Sequence, residues 1–186
     1  MAGKGNNGGD GLVVARRLKR RRIPCEVALL ARKEELSRDA AEMLRAYLKA
    51  KGKLFEVTPD SLSLLRERLK GKRLLVDAIL GTGLKEEVRG FYAEAITIMN
   101  TSGLPVVAVD PPSGLDTDRG GPLGVAVEAE MTVALGFPKL GQVIHPGLSY
   151  VGELVLAEIG IHPEAVEEVQ PKIELLEEDD IRWLIP

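Results

Sequence analysis

Leu74-Leu75-Val76-Asp77-Ala78-Ile79-Leu80-Gly81-Thr82-Gly83 is the stretch on which the fold turns. An apolar run bounded by turn residues reads as a buried strand, here Leu74 to Leu80 ending in a glycine loop. Downstream, Phe91 to Met99 has helical spacing. Val106 to Val109 is again an apolar strand, running into Asp110-Pro111-Pro112. Upstream, residues from about Asp60 to Leu69 read as a helix with Asp60 as N-cap, preceded by a short strand from Leu54 to Val57. Glu34 to Lys51 is helical, with Leu36, Ala40, Met43, Leu44, Tyr47 and Leu48 on one face. Cys25 to Ala31, bounded by Pro24 and Arg32-Lys33, is a strand, and residues 10 to 22 are helical. Thr132 to Leu135 and Glu153 to Ile159 are later strands. This alternation predicts a three-layer α/β/α domain with a mostly parallel sheet covered on both faces.

The chain has 186 residues, 45% of them hydrophobic and 28% charged. That suits one globular domain and excludes a disordered class. A net charge of -3 gives no electrostatic reason to bind nucleic acid. The cluster from Arg16 to Arg22 ends a helix, where cations are favoured anyway, and no aromatics are interleaved with it. No apolar run reaches the ~20 residues of a membrane span, and no hydrophobic leader opens the chain, so a cytoplasmic location is expected. The single cysteine, Cys25, excludes an internal disulfide framework and reads as a small core residue. Glutamine and asparagine are scarce beside Glu, Lys and Arg, a weak lean towards a thermophilic source.

Three loops carry candidate chemistry. In an open parallel sheet, ligands bind outside the carboxyl ends of the strands, so these loops should converge. The first, Gly3-Lys4-Gly5-Asn6-Asn7-Gly8-Gly9-Asp10-Gly11, formally contains G-x-G-x-x-G. Placing Asp10 as the N-cap of the next helix argues against a dinucleotide fingerprint, because a carboxylate would then sit where a pyrophosphate belongs. The following strand also ends in Arg32-Lys33 rather than in a ribose-binding acid. The glycines let backbone approach a ligand, and Asn6, Asn7 and Asp10 offer fixed polar groups. In the second loop, Asp77 inside an apolar strand needs a cation, a donor or a helix N-terminus, with a structural ion pair as the plainer alternative. Gly81 and Gly83 bracket Thr82 in a loop whose amides could wrap a phosphate. In the third, Asp110 ends a strand, and Pro111 and Pro112 stiffen the backbone after it. That resembles a placed general acid/base, with an Asx-type turn as the alternative. Lys139 comes after another apolar strand and could reach the cleft; a solvated lysine is the plainer reading. His145 and His162 each precede proline and read as turn residues.

Taken together, Gly5-Asn6-Asn7-Gly8-Gly9-Asp10-Gly11, Val76-Asp77-Ala78-Ile79-Leu80-Gly81-Thr82-Gly83-Leu84, Val109-Asp110-Pro111-Pro112-Ser113-Gly114-Leu115-Asp116 and Gly136-Phe137-Pro138-Lys139 resemble the YjeF N-terminal domain family, in family order over residues 3 to about 160. The resemblance implies a Rossmann-like fold and epimerisation of the S and R forms of hydrated NADH and NADPH (NADHX and NADPHX) with a bound potassium ion. It implies substrate-binding positions at Asn6, Asn7, Gly8, Gly9, Asp10, Gly81, Thr82, Gly83, Leu84, Lys85, Glu86, Glu87 and Asp110. It implies a potassium site at Asn7, Asp77 and Ser113, whose oxygens suit a hard cation. Asp110 is the expected catalytic acid/base and Lys139 a second catalytic group.

The family domain normally begins with helices and a strand ahead of the glycine loop, whereas here only Met1 and Ala2 precede Gly3. Residues 1–170 are therefore expected to form an N-terminally incomplete epimerase domain with an open seam or edge in its sheet, which invites self-association into a homo-oligomer. Residues 171–186, with Leu175, Leu176, Ile181, Trp183 and Leu184 in an acidic amphipathic stretch, resemble a linker or the lead-in to an ADP-dependent dehydratase domain. Two rivals stand beside the epimerase: a non-catalytic scaffold of the same fold, against which Asn7, Asp77 and Asp110 speak, and a nucleotide-dependent oxidoreductase.

Overall fold

The computed structural model of the chain describes residues 1–171, 173–176 and 182. The strands are β1 (Glu26–Leu29), β2 (Lys53–Glu56), β3 (Leu75–Asp77), β4 (Val106–Val109), β5 (Met131–Leu135) and β6 (Glu153–Ala157). The helices are α1 (Asn6–Arg20), α2 (Arg38–Lys49), α3 (Leu62–Leu69), α4 (Gly90–Asn100), and the short α5 (Leu140–Val143), α6 (Leu148–Val151) and α7 (Pro163–Val169). Every strand pairing is parallel, β1 with β2 and then β3-β4-β5-β6 in order.

Met1 to Gly3 joins the two halves. Ala2 bridges Leu29 on one side and Ala78 on the other, both in parallel register. Its N–H donates to Ala28 O at 2.9 Å and its carbonyl accepts from Leu30 N at 2.8 Å; Gly3 N donates to Ala78 O at 2.9 Å. The spatial order is therefore β2-β1-(Met1–Gly3)-β3-β4-β5-β6, and the direction of progression reverses at the residues that feed the glycine loop. A doubly wound sheet opens its binding crevice at that switch point. Towards the amino ends of β1 and β3 the two strands stand apart, around a cavity of about 870 Å³ lined by Val14, Leu18, Val27, Phe55, Leu65 and Val76.

β1 explains the layering. Val27, Leu29 and Ala31 pack with Leu12 and Ala15 of α1 and Leu44 and Tyr47 of α2. Ala28 and Leu30 turn to the opposite face, with Leu62 and Leu65 of α3 and Ala95, Ile96 and Met99 of α4. A strand buried on both faces reads as an unbroken apolar run, which is why these strands were visible in the sequence. Half-buried Cys25 packs against the first of these clusters, as expected of a small core residue.

Four local expectations change. The helix expected from residue 10 begins at Asn6, so Asp10 lies one turn inside α1 and the N-cap is Gly5. Asp60 does not cap α3: it sits in a 3₁₀ turn, Pro59–Ser61, tied by Thr58 and Ser61. The helix expected over Glu34 to Lys51 is two pieces, a 3₁₀ turn at Lys33–Glu35 and then α2, because the Ser37 side chain accepts from Ala40 N and restarts the helix. The strand expected over Leu74 to Leu80 is paired only from Leu75 to Asp77 before its backbone bends around the site. Of the tail expected to be amphipathic, Leu175 and Leu176 are exposed, and Ile181, Trp183 and Leu184 lie outside the described residues. Among the described residues, no helix is long and apolar enough to cross a membrane.

Candidate active site

The glycine loop folds as it does because of what its glycines touch. None of Gly3, Gly5, Gly8, Gly9 or Gly11 is at positive φ. A Cβ on Gly8 would lie 2.0 Å from the Gly3 carbonyl oxygen, and one on Gly3 would lie 2.0 Å from the Ile79 oxygen. These glycines let backbone approach backbone, which draws the first turn of α1 onto the end of β3. Gly9 is buried against Ala40 of α2, whereas Gly5 has open space beside it. No acidic residue and no side-chain cap occupy the first turn of α1, so its free N–H groups can receive an anion. Asp10 therefore gives no reason to exclude a dinucleotide at this helix. Arg32 and Lys33 still stand where a ribose-binding acid would be needed, with Lys33 paired to Glu56 at 2.9 Å.

Two buried centres sit at the carboxyl ends of β3 and β4. At the first, Asp77 is fully buried. Its Oδ1 accepts from Ile79 N at 3.2 Å and from Ser113 Oγ at 2.6 Å, and its Oδ2 accepts from Ser113 N at 2.7 Å. Burial pushes its carboxyl above the usual range, with the hydrogen bonds from Ser113 and Ile79 opposing. Ser113 Oγ also accepts from Leu80 N at 2.8 Å. Asn7, in the first turn of α1, donates its Nδ2 to Leu80 O at 2.8 Å, while its Oδ1 is buried with no partner. Asn7, Asp77 and Ser113, far apart in sequence, thus meet around the backbone of Leu80. Their chemistry fits a hard monovalent cation: an orphaned amide oxygen, a carboxylate with lone-pair capacity left on Oδ2, a hydroxyl and a carbonyl.

At the second centre, the Asp110 side chain is only 7% exposed. Lys139 Nζ donates to its Oδ2 and, at 3.0 Å, to Leu135 O. The lysine is thus drawn into the cleft rather than solvated. Gln142 Nε2 donates to Asp110 Oδ1 at 3.2 Å. Asp10, exposed on the rim, has its carboxyl raised by partial burial and, second, by the negative charge of Asp110.

The remaining positions line the approach. Asn6 Oδ1 accepts from Ser37 Oγ at 3.3 Å. A Cβ on Gly81 would meet the Asn7 side chain at 3.2 Å. Thr82, Gly83, Lys85, Glu86 and Glu87 are exposed, Leu84 is half-buried and closes a turn to Gly81 O, and Glu87 is paired with Arg89 at 2.5 Å. His145 and His162 are exposed, and His162 caps α7. Reading the sequence did not assign Gln142 or the Leu80 backbone to the site. The one available signal for Gln142 was its spacing three residues after Lys139.

A helix N-terminus and a largely buried Asp–Lys pair thus meet at the carboxyl ends of the strands of a doubly wound, parallel α/β sheet. The model of the YjeF-related protein N-terminus family matches residues 1–141, and the chain belongs to that family. A bifunctional NAD(P)H-hydrate repair enzyme of Moorella thermoacetica is 46% identical over 167 residues, 89% of this chain and 32% of that protein. An NAD(P)H-hydrate epimerase of Oenococcus oeni is 37% identical over 162 residues, 87% of this chain and 73% of that protein. The crystal structure of yeast ynu0 (YNL200c) superposes with a TM-score of 0.71 at 26% identity, covering 96% of this chain and 73% of that one. The chain spans about a third of the length of the bifunctional repair enzymes it matches.

Proposed function

We propose that this chain interconverts the S and R forms of hydrated NADH and NADPH, with Asp110 and Lys139 moving the proton at the hydrated carbon. The observation that carries the reading is the Asp110–Lys139 pair at the carboxyl ends of the strands, in a chain whose relatives include NAD(P)H-hydrate epimerases. The scaffold alternative is not favoured, since the relatives include NAD(P)H-hydrate epimerases and this chain retains Asn7, Asp77 and Asp110.

Epimerisation must erase the configuration of a carbon bearing a hydroxyl and the ring nitrogen. The nitrogen lone pair expels the hydroxyl, which leaves as water after taking one proton; water then adds to the opposite face of the flattened ring and gives one proton back. Atoms and charge balance, and no oxidant is needed. One positioned pair can serve both steps: the Lys139 ammonium and the Asp110 carboxyl hold the proton between them, donate it to the departing oxygen and recover it from the arriving one. The amides of the first turn of α1 and of Thr82 and Gly83 suit the pyrophosphate. Asp10, Lys85 and Glu86 are rim positions for the rest of the nucleotide.

A potassium ion belongs to the same proposal, held by Asn7 Oδ1, Asp77 and Ser113. When bound, it supplies positive charge to the loop cluster that receives an anionic substrate. Its support here is the buried, unpartnered Asn7 Oδ1. A cytoplasmic location goes with the same reading.

Turnover of purified S and R hydrates, resolved by chromatography, tests the proposal. Equilibration of either form well above the spontaneous rate supports it; no acceleration, with or without potassium, ends it.

A further inference from the structure

We propose that Gln142 is a positioning residue for the epimerisation, an amide clamp that fixes the Asp110 carboxylate and registers it against Lys139; this rests on the function proposed above. Gln142 is fully buried in the short helix α5. Its Oε1 accepts from Lys139 N at 2.8 Å, and its own N–H donates to Lys139 O at 2.8 Å. Its Nε2 donates to Asp110 Oδ1 at 3.2 Å.

The amide's orientation is dictated. A backbone N–H can only donate, so the atom facing Lys139 N must be the oxygen, and Nε2 must then face Asp110. The two oxygens of Asp110 are divided, Oδ2 to the Lys139 ammonium and Oδ1 to the Gln142 amide. Two contacts at different oxygens fix the rotation of a carboxylate about its last bond, which one contact does not. The same amide grips the backbone of Lys139, so one side chain sets both partners of the proton-moving pair. A fully buried amide with apolar substitutes of nearly equal size is an expensive choice for packing alone. Small errors in placing reacting groups cost large factors in rate.

The test compares Gln142→Met and Gln142→Glu with the unaltered protein. Glutamate keeps an oxygen for the Lys139 N–H but sets an acceptor, not a donor, against Asp110. Methionine keeps the volume and loses both contacts. The inference predicts that both variants lose roughly ten- to a hundredfold in kcat, with KM changed far less. Glutamate should be at least as impaired as methionine, although it retains the contact that organises α5. Near-normal kcat in Gln142→Glu would reduce Gln142 to a helix-organising role and overturn the inference. A second readout needs no turnover: the Gln142 side-chain NH₂ resonances should be protected from exchange, and should shift in Asp110→Ala. Unprotected resonances, or resonances indifferent to that change, would also overturn it. Failure of the unaltered protein to turn over the hydrates would instead sink the epimerase reading, leaving the clamp to be judged by its resonances.

Discussion

Asp77 and Asp110 stand at the ends of neighbouring parallel strands, yet the chain treats them differently. Asp77 is wholly buried among neutral donors, the hydroxyl and amide of Ser113 and the amide of Ile79. Asp110 is nearly as buried but is met by the charged amine of Lys139 and by Gln142. Burial of Asp77 raises its pKa, outweighing both these neutral donors and the charge of the Met1 amine. A carboxylate with an ammonium against it has a partner that can trade a proton. The proposed roles follow this contrast, cation binding at the Asp77 centre and proton transfer at the Asp110 centre.

The comparison breaks first, and most visibly, at Lys139. Lys139→Met leaves Asp110 with the Gln142 contact alone, and kcat should fall roughly a hundredfold, the scale of a lost acid–base group. The effect of potassium on Tm should survive, since Lys139 does not reach the Asp77 centre. Loss of both would merge the two centres into one.

Gly8→Ala strikes the element the centres share. The new Cβ would lie 2.0 Å from the Gly3 carbonyl oxygen, so α1 must retreat from the end of β3. A cost of about 1–3 kcal/mol is expected for such overpacking, or roughly 2–4 °C of Tm per kcal/mol for a chain this long. Calorimetry reads it; an unchanged Tm would mean that the close approach is not needed.

Asp77→Asn sharpens the cation half. Potassium chloride should raise the Tm of the unaltered protein above that in choline chloride at equal ionic strength, as any ligand of the folded state does. The variant should lose that difference. Equal potassium dependence in both proteins would remove Asp77 from the cation site.

The smallest effect belongs to Asp10. Its carboxyl is raised by partial burial and by the charge on Asp110, so ionising it costs the folded state. Its favourable contribution is therefore complete below the ordinary aspartate pKa and is lost as pH rises through the raised value. Asp10→Asn should raise Tm slightly at neutral pH and leave it unchanged at pH values where Asp10 is protonated in both states. A Tm scan across pH shows whether the gain has this sign.

Much of this was legible in the chain. Strands buried on both faces, as Val27 and Ala28 show in β1, leave continuous apolar runs, and the loops after them were found because Asp77 and Asp110 interrupt or end such runs. The beginning of α1 was misplaced because Asn6 to Gly9 has a loop's composition. Only contact with the Gly3 backbone makes glycine an asset inside that helix, outweighing its poor propensity. The hold of Lys139 on Asp110 was out of reach for a different reason: the two residues meet because β4 pairs with β5 in one register. Gln142 was hidden behind the same register, since a buried amide declares itself only when both of its partners are known.

The most direct test of the account is Asp110→Asn, which keeps the shape and most hydrogen bonding of the side chain but cannot carry a proton. Interconversion of the purified hydrates is followed by chromatography, with substrate binding measured separately. The account predicts retained binding and a loss of turnover of ~10²–10⁴-fold. Near-normal turnover by the variant would contradict it and move the proton transfer away from Asp110.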